Sequence, residues 1–337
     1  MISVIQNLFL GSSPTWYKKT IVTFLVINPI ALLVLNSFGM NGNFIVGWMF
    51  LLEFIFTLAL ALKCYPLQPG GLLAIQAILL GLTSTKAIYY EIEHNLEVIL
   101  LLVFMVAGIY FMKNLMLAIF TKLLLKVDSK IYLSLMFCFS AAILSAFLDA
   151  LTVTAVLIGV TIGFYRIYHT VSSGKDFTDI SHNYNDNSSL SSVSLDDLEK
   201  FKAFLRDLVM HGAVGTALGG VCTIVGEPQN LLIAKVAGWE FIEFFIRMAP
   251  VTMPVFIAGL ITCYCIERFS LAGFGSQLPK SVRNVFNDFD TFERENTTLE
   301  QKTELYIEMC VALFLVLALA FHVAAVGLIG LAVIILL

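Results

Sequence analysis

Residues 212–237 read GAVGTALGGVCTIVGEPQNLLIAKVA. An apolar, glycine-rich helix through Gly215, Gly219 and Gly220 runs into Gly226-Glu227-Pro228-Gln229-Asn230 and then resumes as Leu231-Leu232-Ile233-Ala234. Proline removes a backbone donor and clashes with the carbonyl four residues earlier. Glycine relaxes the turn beside it. The flanks are apolar enough for lipid, where every freed backbone group must be met by protein, water or ions. A chain carrying this segment therefore has to fold with the break inside protein or against an aqueous cavity. A proline kink used only for packing is the simpler alternative, but such kinks rarely carry Glu, Gln and Asn side by side.

The rest of the chain agrees with a lipid setting. Of its 337 residues 59% are hydrophobic and 13% charged, about half the charge of an ordinary soluble domain. The sequence predicts an all-α polytopic membrane protein. Windows long enough to cross lie at about 20–38, 44–62, 70–82 (short) and 96–112. Residues 115–125 are punctuated by Lys122 and Lys126 and predict an interfacial helix. Two apolar arms, about 131–168, are joined at Leu148-Asp149-Ala150-Leu151-Thr152. A polar segment rich in Ser, Asn and Asp follows over 169–202, with a composition that predicts flexibility. The broken helix then occupies about 204–237. An amphipathic stretch over 239–248, a crossing over 249–266, a polar loop over 269–303 and apolar helices over 304–337 complete the chain. If residues 1–19 are cytoplasmic, all but Lys86, Lys235 and Arg247 of the 20 basic residues fall inside, as the positive-inside rule requires. The six cysteines lie mostly in apolar segments without metal-ligand spacing and are expected to be small core residues.

Interrupted helices at membrane depth are where secondary transporters place their ion sites, because helix ends and exposed carbonyls supply partial charge. Asp149 is the leading candidate, since a mid-membrane carboxylate costs about 2.5–3.5 kcal/mol on insertion scales and marks an ion or proton path. Ser145, Thr152 and unwound backbone offer the oxygens that a hard cation takes. The competing reading makes Asp149 only an N-cap of the second arm. Glu227 and Asn230 are the matching pair at the break, while Gly226 and Pro228 create the break itself. Glu53, in FLLEFIFTL, has no polar sequence neighbour, and pairing with Lys63 or another helix is as expected as function. His211 is expected to be solvated or capping. The Gly159/Gly163 and Gly215/Gly219 pairs both predict close helix packing. Paired aspartates, a Ser/His set or metal-spaced His and Glu are missing, so an intramembrane enzyme is disfavoured, and no cofactor is expected beyond transported sodium and protons.

Several long runs carry a resemblance: Trp16-Tyr17-Lys18, GWMFLLEFIFTLALALKCYPLQPGGLLAI (47–75), FMVAGIYFMK (104–113), LSAFLDALTV (144–153), GTALGGV with VGEPQNLLIAK (215–235) and HVAAVGLIGLAVIIL (322–336). Together the chain resembles bacterial NhaB-type sodium/proton antiporters of the ion-transporter superfamily. The resemblance implies two inverted repeats, each with a re-entrant hairpin and a broken helix. Residues 145–152 would be the first hairpin tip and 225–230 the first break, within a first repeat over 20–268. Residues 304–337 would begin a second, truncated repeat, so the ion site would be half complete and activity would need the missing half. Arsenite-type relatives tend to carry Asn directly after the hairpin Asp, where this chain has Ala150. The function implied is electrogenic antiport that extrudes sodium from the cytoplasm across a bacterial inner membrane, in contact with lipid and not with nucleic acid. A sodium-coupled carboxylate carrier of the same superfamily and an ion channel are the alternatives, and a homo-oligomer is left open.

Overall fold

A computed structural model describes residues 9–11, 13–61, 63–65, 67–100, 103–104, 112–148, 150–176, 183–184 and 190–337. Asp149 and most of the predicted fourth crossing lie outside these residues. Among the described residues the regular structure is entirely helical. The chain divides into two compact units, Met1–Asn95 and Leu96–Leu337.

The first unit holds α1 (Thr15–Ser37), α2 (Gly42–Ala59), α3 (Leu67–Leu79) and α4 (Thr85–His94). Asn41 caps α2 by accepting from the Phe44 amide at 3.2 Å. Ser84 does the same for α4 at the Ala87 amide, 3.1 Å away. In each case a side-chain oxygen meets one of the donors that a helix start leaves unpaired. α1, α2 and α3 pack on one another, and Tyr17, Ile21 and Cys64 are buried together beside Phe56. Tyr17 stacks on Phe56 with ring centroids 6.1 Å apart.

The second unit holds α5 (Leu96–Leu100), α6 (Lys113–Lys126), α7 (Lys130–Phe147), α8 (Ala150–Ser172), α9 (Ser192–Gly220), α10 (Pro228–Ala237), α11 (Phe241–Arg268), α12 (Lys280–Asn296), α13 (Leu299–Ala320) and α14 (Val326–Leu336). Its centre is the pair α7 and α9. These helices run parallel and in register: Lys130 faces Asp207, the Cys138 carbonyl faces Gly215 and the Ala142 carbonyl faces Gly219. A Cβ on Gly215 or Gly219 would overlap those carbonyl oxygens, so the close approach exists because both positions lack one. Gly159 and Gly163 behave differently. Among the described residues nothing within 4 Å would meet a Cβ on either, which corrects the expectation that both glycine pairs pack helices.

Among the described residues five helices are long and apolar enough to cross a membrane: α1, α2, α7, α11 and α13. Their outer faces expose large apolar side chains, among them Ile30, Leu33, Leu52, Val251, Ile257 and Leu313, as lipid contact requires and water would penalise. Several segments differ from the sequence reading, among them the polar segment over 169–202, of which residues 192–202 belong to α9. The amphipathic stretch and the crossing after it are one helix, α11, which carries Pro250 and Pro254 within it; bilayer helices tolerate proline where neighbouring groups meet the freed carbonyls. The polar loop at 269–303 contains α12, whose Val282 and Phe286 are buried while its opposite face is charged. Phe286 meets Phe164 of α8 with centroids 4.7 Å apart. The predicted interfacial helix, α6, buries Met116, Phe120 and Leu124 in the main core, because these residues recur at the four-residue spacing that puts them on one face.

Candidate functional site: a helix tip against a helix break

Since α7 and α9 keep one register from the Lys130–Asp207 pair onward, their C-terminal ends arrive together. α7 ends at Phe147 and α9 at Gly220, and the chain between Val221 and Glu227 is non-helical until α10 begins at Pro228. Proline suits that first position because its missing N–H would be unpaired in any case. Glu227 is the residue just before it, with extended backbone at φ −141° and ψ 135°. Gly226 fits between the two ends only as glycine: a Cβ there would lie 2.5 Å from the Gly220 carbonyl oxygen and 2.6 Å from that of Ser145. The sequence reading of Gly226 and Pro228 as the makers of the break therefore agrees with the geometry.

Short polar side chains join tip to break. Ser145, fully buried, donates from Oγ to the Thr216 carbonyl at 2.8 Å. Thr223 donates to the Ala146 carbonyl and accepts from the Gly226 amide at 3.2 Å. Asn230 donates from Nδ2 to the carbonyls of Gly220, at 3.0 Å, and Thr223, at 2.8 Å. The first half-helix thus has its terminal carbonyl capped by the first turn of the second. Both amide hydrogens of Asn230 are used in this way, which leaves Oδ1 as the acceptor atom of its side chain. Thr154 completes the set, with its hydroxyl 2.8 Å from the Ala150 carbonyl and 3.3 Å from the Thr216 hydroxyl.

Of the residues predicted for the site, Ser145, Glu227 and Asn230 are brought to one place. The Glu227 carboxylate lies beside Gly220, where an added Cβ would sit 3.1 Å from Oε1. Thr152 is on the first turn of α8, half-buried. Asp149, which follows Leu148 in the sequence, lies outside the described residues. Thr154, Thr216 and Thr223 were not picked out from sequence. A threonine in an apolar helix usually bonds its own helix's carbonyl, so the signal was only their clustering in LTVTAV, GTALGG and VCTIVG. Asn230→Ala leaves two buried carbonyls without donors. It is expected to lower stability by about 1–3 kcal/mol, read as a lower chemical-denaturation midpoint in detergent.

A second polar cluster lies at the opposite end of the α7–α9 pair. Lys130 Nζ is 3.5 Å from Asp207 Oδ2, 3.5 Å from Glu267 Oε1 and 3.2 Å from the Phe204 carbonyl, which it donates to. It also sits 4.3 Å over the Phe204 ring. Glu267 Oε1 accepts from Ser134 at 2.8 Å and pairs with His211 Nε2 at 3.0 Å. Asp207 takes Arg206 at 2.9 Å and the Ser276 amide at 3.2 Å. His211 is therefore buried and paired, against the expectation of a solvated or capping role. Its partner, Glu267, comes from α11, 56 positions away, beyond any local reading. Among the described residues no group of three or more His, Cys, Asp or Glu is placed to hold a metal ion.

Comparison with known proteins gives the chain a family. The family model described as "Bacterial Na+/H+ antiporter B (NhaB)" matches residues 1–337. A Na(+)/H(+) antiporter NhaB of Marinomonas sp. (strain MWYL1) is 58% identical over 331 residues, covering 98% of this chain and 65% of the relative. That of Hahella chejuensis is 59% identical over 328 residues, covering 97% and 64%. That of Shewanella halifaxensis is 56% identical over 336 residues, covering 100% and 62%. The chain thus spans a little under two thirds of the length of these relatives. On a full-length family match and identities far above those at which related folds diverge, the chain belongs to the NhaB family of bacterial Na+/H+ antiporters.

Proposed function

We propose that this chain supplies one half of the ion site of an electrogenic antiporter that extrudes sodium from a bacterial cytoplasm in exchange for protons. The observation that carries the reading is the meeting of the α7 tip with the α9–α10 break, crosslinked through Ser145, Thr223 and Asn230. A helix end and an unwound segment held together provide fixed oxygens at one depth. Asp149, at the same tip, supplies the exchangeable charge. Sodium binds the carboxylate with oxygens from Ser145, Thr152, Asn230 and the unwound backbone, and Glu227 adds negative potential beside them. A proton on Asp149 removes the charge that sodium needs, so competition for one carboxyl couples the two ions without a separate device.

The same reading assigns the ion-transporter superfamily fold, with inverted repeats and α7–α8 as a re-entrant hairpin entered from the cytoplasmic side. In support, only 14 residues of α8 separate Ala150 from the Phe164 contact with the charged, amphipathic α12. At 1.5 Å per residue that is about 21 Å, short of the roughly 30 Å hydrocarbon core. The remaining third of the relatives' length supplies the second hairpin and break. The protein is placed in the inner membrane with its N-terminus cytoplasmic, following the basic residues.

The test is sodium-driven proton movement in everted membrane vesicles, comparing this chain, the chain completed with the remaining part of the Marinomonas relative, and the completed chain carrying Asp149→Asn. The completed protein is expected to collapse a pH gradient on adding sodium. The chain alone and the Asp149→Asn form are expected to lose that response by tenfold or more. Carboxylate uptake without a sodium-driven proton response would overturn the antiport reading while leaving the fold in place.

A further inference from the structure

The first unit contains a buried polar triad that the tip-and-break site does not use. Pro29 sits within α1, so it makes no hydrogen bond to the carbonyl of Leu25, four residues earlier. Gln76 of α3 meets that carbonyl, donating from Nε2 at 2.5 Å. Gln76 Oε1 accepts from Asn28 Nδ2 at 3.2 Å, and the other hydrogen of the same Nδ2 goes to Glu53 Oε2 of α2 at 2.8 Å. The chain of contacts runs from a kinked backbone through two amides to one carboxyl. Asn28 is 0% exposed and Glu53 7%. All three residues lie within about three residues of the midpoints of their helices. Of the pairings expected for Glu53, with Lys63 or with another helix, the structure shows the second, and it corrects the reading that nothing polar surrounds this residue.

Two features separate this triad from a structural hydrogen-bond knot. No cationic side chain pairs with Glu53 among the described residues. On α1 the charged groups Lys18 and Lys19 are at the first turn, and Lys18 bonds the Gly11 carbonyl at 2.7 Å. Tyr17, also on the first turn, packs against Phe56. On α2 Glu53 is the only titratable residue, and α3 has none. The second feature is that Asn28 Oδ1 is buried with no hydrogen-bond donor, although a buried unmet acceptor costs on the order of 1–3 kcal/mol. A carboxyl that gains a proton gains an O–H donor, and the amide whose Nδ2 it contacts carries an acceptor without one. The amide hydrogens directed at Glu53 Oε2 and Gln76 Oε1 make the pocket a poor cage for sodium, which takes oxygen lone pairs.

We propose that Asn28, Glu53 and Gln76 form a second proton-binding site of the carrier, in which Glu53 alternates between acid and carboxylate during transport. This rests on the antiport reading above. The test uses the completed chain in proteoliposomes, with two readouts. A hydrophobic carbodiimide is applied across a pH series and the peptide carrying Glu53 is examined for adduct by mass spectrometry. The reversal potential of sodium-driven antiport is measured for the wild type and for Glu53→Gln, whose amide oxygen keeps the bond from Asn28. Expected are an adduct on Glu53 that falls about tenfold per pH unit above its midpoint, and a Glu53→Gln carrier that moves fewer protons per sodium or none. Labelling that ignores pH overturns the proposal, and so does a Glu53→Gln carrier with unchanged coupling. If the wild type moves no sodium, the antiport reading has failed, and the labelling still reports on Glu53.

Discussion

Gly219→Ala is expected to abolish sodium-dependent transport in the completed protein and to reduce the yield of folded material severalfold. A methyl group at this position overlaps the Ala142 carbonyl oxygen. That atom belongs to helix backbone and cannot swing aside as a side-chain end would. The helices must separate or slide, at a cost typical of core overpacking, about 1–3 kcal/mol or more. The separation also propagates along the register to the tip, where Ser145 and Thr223 depend on it. Gly215→Ala, against the Cys138 carbonyl, should behave alike. Gly159→Ala and Gly163→Ala are the controls: among the described residues nothing within 4 Å meets the new methyl, and helix propensity favours alanine by up to about 1 kcal/mol. Equal damage from all four substitutions, measured as monodisperse yield and vesicle transport, would show that the α7–α9 contact is not what these glycines serve.

Lys130→Ala is expected to be among the most destabilising single changes in the chain, by about 3–5 kcal/mol. Its ammonium is 3.5 Å from both Asp207 and Glu267, and the three side chains are 3% exposed or less. Removing it leaves two buried carboxylates served by hydrogen bonds and by Arg206 at the rim, with no buried lysine charge between them. Arg206→Ala should cost far less, below about 1 kcal/mol, because that side chain is 57% exposed and its pair with Asp207 is screened by solvent. The comparison is read from chemical-denaturation midpoints in detergent. A Lys130→Ala protein as stable as Arg206→Ala would mean that the cluster is held by its other contacts, those of Ser134, His211 and Ser276.

Much of the fold was legible because lipid simplifies the code. Apolar length gives crossings, and proline with adjacent polar residues gives a break. The errors follow from the same simplification. Hydropathy divided α11 in two at its polar first turns, missed α12 inside a segment of polar composition, and did not show which face of α6 is buried. Glycine spacing marked Gly159 with Gly163 as clearly as Gly215 with Gly219, since spacing records what could approach and not what does.

The sequence by itself determined that the chain is helical and built for lipid, that the helix through Gly215 and Gly219 must break beside Gly226 and Pro228, and that its polar residues at membrane depth are few; the structure moved the break from 226–230 to 221–227. Those outcomes follow from local rules: the donor that proline lacks, the cost of bare backbone in hydrocarbon, and the length of a crossing. Only the tertiary structure decided which polar groups meet. Asn28 meets Glu53 and Gln76, His211 meets Glu267, and Ser145 meets the Thr216 carbonyl across 71 positions. Such pairings depend on helix register and rotation, which are set by the packing of many weak contacts at once and leave no periodic trace along the chain.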